Sequence, residues 1–204
     1  IDVSLVGSEM CIRDRGSFFG ILSKCSFFGL LSIILYVLAY TPLKRFSTTS
    51  VFIGAIPGAI PFLLGWVAAT DDFELYGGTL FAIQFFWQFP HFIAIAWVLD
   101  KEYKKAGFKM LFGNKKGRYP AVLSIISSLI TIIISLVPFF WNHNTLSLSI
   151  YAFIIIAILG IWFALKSIRL YINANDFNAK KLMIASIFYL PLLQIIYIAD
   201  KLIR

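Results

Sequence analysis

Six mostly apolar stretches dominate this 204-residue chain: residues 18–40, 51–69, 76–99, 119–140, 146–166 and 181–199. Each is close to the roughly 20 residues that a helix needs to cross the hydrocarbon of a bilayer. Lipid offers open backbone groups no hydrogen-bond partners, so helices are the expected way across. Composition points the same way. Hydrophobic residues make up 60% of the chain and charged residues 14%, where soluble domains have about 45–50% and about 25%. The expected fold class is an all-α integral membrane bundle.

Charge decides how the connecting loops face. Loops 41–50, 100–118 and 167–180, with their edges, hold 13 of the 18 Lys and Arg residues, whereas loops 70–75 and 141–145 hold none. Basic loops stay in the cytoplasm, so the first, third and fifth loops are expected there, with both chain ends on the outer side. The net charge of +8 then belongs to membrane topology, and no nucleic-acid partner is expected. Cys11 and Cys25 lack metal-ligand spacing and read as non-functional thiols. Residues 1–15, IDVSLVGSEMCIRDR, fit no span and lack the basic start and cleavage site of a signal peptide. The string VSLVGSEMCIRDR resembles a translated sequencing adaptor. Residues 1–15 are expected to be a non-native leader, ahead of a single transmembrane domain at 16–204 whose N-terminal part is missing.

The third span is the anomaly. It carries Gln84, Trp87, Gln88 and His91, a spacing that puts them along one side of a helix. Polar groups inside a bilayer are costly, and ionisable ones are functional candidates by default. The plain alternative, interhelical hydrogen bonding, weighs at least equally for the glutamines. His91 is the stronger candidate for substrate contact, since imidazole can donate, accept a proton or approach a metal. The span ends in Asp100 and Glu102 amid Lys101, Lys104, Lys105 and Lys109. Carboxylates plus substrate phosphates are what Mg²⁺ takes as ligands, and the lysines suit a diphosphate. Carboxylates two apart on a helix diverge, so they converge only if the helix ends or turns there. The first basic loop repeats the theme in Tyr40-Thr41-Pro42-Leu43-Lys44-Arg45, where Pro42 is expected to stop the helix. In the second span, the tandem GAIP-GAIP over residues 54–61 pairs Gly54 with Gly58, a spacing that permits close helix contact. Pro57 and Pro61 are expected to bend or break that helix. A kinked span of this kind could also open a cavity or, in a transporter or channel, line a path.

The segments YTPLKR, GAIPGAIPFLLGWVAAT, FFWQFPHFIAIAW and DKEYKKAGFKML, in this order, resemble the UbiA superfamily of intramembrane prenyltransferases, and within it the haem-farnesylating branch. The resemblance covers about residues 17–204. It implies a UbiA-type transmembrane bundle of nine helices, six of them in this chain. It also implies a Mg²⁺-dependent transfer of a farnesyl group from farnesyl diphosphate to a vinyl group of haem B, with addition of water, giving haem O. On that view Asp100 and Glu102 are catalytic and hold the metal. Lys44, Arg45, Lys101, Lys104 and Lys105 meet the diphosphate, and His91, Trp87 and Gln88 line the haem and prenyl cavity. Membrane lipid is the surrounding medium and a haem A synthase a possible partner. Glu102 stands where the family usually has Asp, and Lys109 where it usually has Pro. The family's first acidic motif is absent from the chain.

Overall fold

The computed structural model describes residues 24–70, 74–108, 110–141 and 147–203. The leader, Cys11 and Lys109 lie outside these residues. Six helices are long and apolar enough to cross a membrane: α1 (Lys24–Lys44), α2 (Ser50–Thr70), α3 (Leu75–Val98), α5 (Arg118–Leu136, prolonged by a 3₁₀ turn to Phe140), α6 (Ile150–Ile172) and α7 (Asp176–Ile203). A short helix, α4 (Asp100–Lys105), follows α3. No strand occurs among the described residues. The chain folds as an all-α, multi-pass membrane protein, as its apolar runs require.

Helix α3 is the hub. It packs against α2, α5 and α7, and α5–α6 and α6–α7 contacts complete a closed ring of four helices. Trp97, Phe163, Leu170, Leu182, Tyr189 and Leu193 fill this ring and are almost wholly buried. Between membrane helices water-driven burial is weak, so small side chains and hydrogen bonds carry much of the contact. Helix α5 shows both. Ser124, Ser127, Ser128, Thr131 and Ser135 fall at helical spacing on its buried face. Ser124 and Ser128 reach the Ser167 hydroxyl of α6 at 3.1 and 2.8 Å, and Tyr197 of α7 donates to the Ser135 carbonyl at 2.6 Å. Gly160 lets α6 close on Ile132, whose side chain lies 2.8 Å from where a Cβ would stand.

Helices α2 and α1 flank the ring. Helix α2 leans on α3, and α1 meets α2 through Leu35–Tyr40. No described residue of α1 is buried. The Leu35–Tyr40 segment is π-helical, and this changes one expectation. Pro42 does not stop the helix: the chain stays helical to Phe46. The wide π turn leaves room for the pyrrolidine ring, and the Thr41 N–H and hydroxyl both bond the Tyr36 carbonyl, the latter at 2.8 Å. Helix α2 is likewise unbroken through Pro57 and Pro61. Pro61 has no N–H to offer the carbonyl four residues back, that of Pro57. The Ser32 hydroxyl of α1 bonds that carbonyl instead, at 3.3 Å.

The fifth loop is far shorter than its charges suggested. Helix α6 runs on to Ile172 and α7 begins at Asp176. Ser167 and Leu170 of the expected loop are buried in the ring. Asparagines tie the joint: Asn175 Oδ1 accepts from the Asn178 N–H at 2.9 Å, and the Asn178 amide donates to the Asn173 and Arg169 carbonyls. These bonds satisfy groups that two helix ends would leave bare.

Candidate functional site

The first, third and fifth loops meet at one end of the bundle and bring most of the lysines there. Lys44, at the end of α1, places its ammonium 4.7 Å from the Phe108 ring centroid, so the first and third loops meet. Lys116 pairs with Asp176 at 2.6 Å, joining the third loop to α7. At the opposite end, Trp66, Tyr76 and Trp141 form a chain of ring contacts at 5.5 and 5.0 Å. Amphipathic rings of this kind are enriched at a membrane–water boundary.

Asp100 opens α4 just after α3 ends at Val98. Its side chain is only 13% exposed and pairs with Lys104 at 2.8 Å. The turn that reorients the chain falls before Asp100, not between the two carboxylates. Glu102 therefore leaves α4 on another side and is exposed. Asp100 and Lys104 line a cavity of about 340 Å³ with Tyr103, Gly107, Phe108 and Met110; Glu102 is absent from its wall. Lys101 and Lys105 are exposed on α4. The side chain of Arg45 lies outside the described residues. Among the described residues no three or more His, Cys, Asp or Glu side chains gather as a ready metal cage.

A second cavity, about 490 Å³, lies between α1, α2 and α3. Tyr36, Tyr40, Gly54, Pro57, Gly58, Gln88, Phe92 and Met110 line it. The Gln88 amide is held by the Ala55 carbonyl at 3.4 Å. It fits only because residue 58 is glycine, where a Cβ would stand 2.5 Å from the amide oxygen. Gly54 likewise seats the Tyr40 ring, 2.6 Å from its own Cβ position. A third cavity of about 690 Å³ continues toward the far end past Pro61, Phe62, Gly65, Trp66 and Ala69. These residues, with Gly54, Pro57 and Gly58, fall at i, i+3, i+4 and i+7. One face of α2 thus lines open space for about 22 Å, at 1.5 Å per residue. The GAIP repeat serves both expected ends: close packing at its glycines and an open wall beside them.

The polar stripe of α3 divides in two. Gln84 and Gln88 are buried, and Gln88 faces α2. Trp87, about a hundred degrees round from Gln88, and His91, about sixty degrees round on the same side, face α7. Trp87 Nε1 donates to the Ser186 carbonyl at 2.9 Å, His91 Nδ1 lies 2.9 Å from the Ser186 hydroxyl, and the two rings stack at 4.9 Å. Ser186 gives its own proton to the Met183 carbonyl at 2.6 Å. His91 is thereby the donor at Nδ1, which leaves the lone pair on Nε2. Neither Trp87 nor His91 is among the residues lining the 490 Å³ cavity, where Gln88 and Phe92 are. Phe108 and Met110 carry no mark in the sequence beyond their closeness to Asp100 along the chain, and Tyr40 only its place at the head of the Tyr40–Arg45 motif.

The UbiA prenyltransferase family pattern matches residues 16–189. Among similar proteins, the protoheme IX farnesyltransferase of Christiangramia forsetii is 51% identical over 89% of this chain and 60% of its own length. That of Flavobacterium psychrophilum is 49% identical over the same shares. The mitochondrial protoheme IX farnesyltransferase of Neurospora crassa is 34% identical over 90% of this chain and 39% of its own length. The chain therefore spans about 60% of the length of these two bacterial relatives. No solved structure matches it. The transporter reading gains no support from these matches.

Proposed function

Because this chain belongs to the UbiA prenyltransferase family, we propose that it is the greater part of a protoheme IX farnesyltransferase, joining farnesyl diphosphate to a vinyl group of haem B to make haem O. One observation carries the reading beyond the family: a largely buried carboxylate, Asp100, lies at a cationic mouth that adjoins an apolar, aromatic-walled cavity. An amphipathic substrate with an anionic head and a prenyl tail needs both surroundings at once.

A Mg²⁺ ion fits this mouth, because Mg²⁺ takes one or two carboxylates and leaves its other positions to substrate phosphates and water. Asp100 would hold it, with Glu102 as the outlying second carboxylate, and when bound it would offset charge on the departing diphosphate. Lys104, Lys101 and Lys105 of α4, with Lys44 and Arg45 of the first loop, stabilise the same charge. The farnesyl C1–O bond breaks with its electron pair on the diphosphate. The vinyl carbon attacks C1, and water adds to the cation left beside the porphyrin and releases one proton to solvent. Tyr36, Tyr40 and Phe92 keep bulk water from the allylic cation and present π faces to it. Gln88 gives the cavity its polar contact. His91, with Nδ1 fixed by Ser186, offers a lone pair at Nε2, which suits haem iron rather than a propionate.

The three basic loops face the cytoplasm of a bacterial inner membrane in this proposal, and residues 16–204 form one catalytic domain. A haem A synthase that takes up the product belongs to the same proposal. In the full-length protein, Asp100→Ala should abolish haem O formation from haem B, farnesyl diphosphate and Mg²⁺ while the protein still accumulates in the membrane. Normal turnover by that variant would remove Asp100 from the mechanism.

A further inference from the structure

Met110 occupies a singular position. It lines the charged-mouth cavity that holds Asp100 and Lys104, and it lines the apolar cavity between α1, α2 and α3. Its side chain also packs against both hydrophobic clusters of the described residues, the one inside the four-helix ring and the one between α2 and α3. It is only partly buried, with a cavity on each side of it. A thioether on three rotatable bonds is the most adaptable of apolar side chains.

We propose that Met110 is the movable partition between a head site and a tail site, and so determines which prenyl diphosphates the protein accepts. The proposal rests on the reading of Asp100 and Lys104 as the diphosphate end. A diphosphate seated there has its prenyl tail directed at Met110. The tail reaches the cavity lined by Tyr40 and Phe92 only when the thioether swings aside. A bare diphosphate uses the first cavity alone and never meets the partition. Residue 110 therefore acts on the tail and leaves the head unaffected.

The test compares two probes on the full-length protein in detergent with Mg²⁺: inorganic diphosphate, and the unreactive farnesyl thiodiphosphate. Met110→Trp should weaken the farnesyl probe about tenfold or more, a loss of about 1.4 kcal/mol, and leave inorganic diphosphate within about twofold. Met110→Ala, which removes the partition, should bind the farnesyl probe at least as well as the parent and admit a geranylgeranyl analogue more readily. Equal farnesyl affinity in the Trp variant and the parent would overturn the inference. So would parallel loss of both probes in both variants, which is the signature of packing. If the parent itself binds neither probe, the assignment of the diphosphate end fails, and the partition with it.

Discussion

The closed ring and the α1–α2 flank are built from similar apolar helices, yet they are held together differently. In the ring, α3, α5, α6 and α7 each meet two neighbours, and hydroxyls on α5 bridge to α6 and α7. In the flank, α1 has no buried residue and is joined to α2 by a tyrosine ring seated over Gly54 and one hydroxyl on a proline-freed carbonyl. The ring has the order and the flank has the open space. Two of the three cavities run along α2. On the proposed function, a substrate entering from lipid needs one side with little to displace, and the flank, where α1 buries no residue, is that side.

Matched substitutions on the two sides test this difference. Gly160→Ala drives a Cβ into the Ile132 side chain inside the ring, 2.8 Å away. Overpacking of this kind costs about 1–3 kcal/mol, so the unfolding midpoint in detergent should fall clearly. Gly54→Ala makes an equally close contact in the flank, but with the half-exposed Tyr40 ring, which can swing outward. Its loss of stability should be under about 1 kcal/mol, while substrate affinity drops more than stability does. A larger destabilisation at Gly54 than at Gly160 would break the distinction. A smaller contrast comes from hydroxyls. Ser167→Ala removes the partner of both Ser124 and Ser128, and interhelical bonds in membranes average about 0.6 kcal/mol. It should lower the midpoint modestly with turnover unchanged. Ser32→Ala should do less. The smallest effect is expected for Lys116→Ala at the exposed pair with Asp176, about 0–1 kcal/mol and shrinking in salt.

The sequence disclosed spans better than directions. Six apolar runs of bilayer length became six helices, because lipid leaves the backbone no other choice. The first, third and fifth loops share one end, as their lysines implied. What spacing concealed was azimuth. Gln88 and His91 share a broad stripe on paper, yet the roughly sixty degrees between residues three apart send one toward α2 and the other toward α7. Asp100 and Glu102 were legible as a pair of acids, and because the break at Leu99 falls before both, they keep the divergence of residues two apart on one helix. The serine face of α5 was readable at its i, i+3, i+4 and i+7 positions. It passed unnoticed because a serine amid isoleucines reads as a mild dilution of hydropathy. Pro42 misled because a proline announces a missing donor without saying that a π turn upstream will absorb it.

The three-residue link between α6 and α7 has a consequence for how the protein is made. With Asn173–Asn175 the whole connection, the two helices leave the ribosome as a hairpin that must enter the bilayer together. Lys166 and Arg169 close one arm, and Lys180 and Lys181 open the other. Both arms therefore carry the same orienting signal, and a hairpin threaded backwards would have to drag four cations across the lipid. This pair of helices has its direction of insertion specified twice.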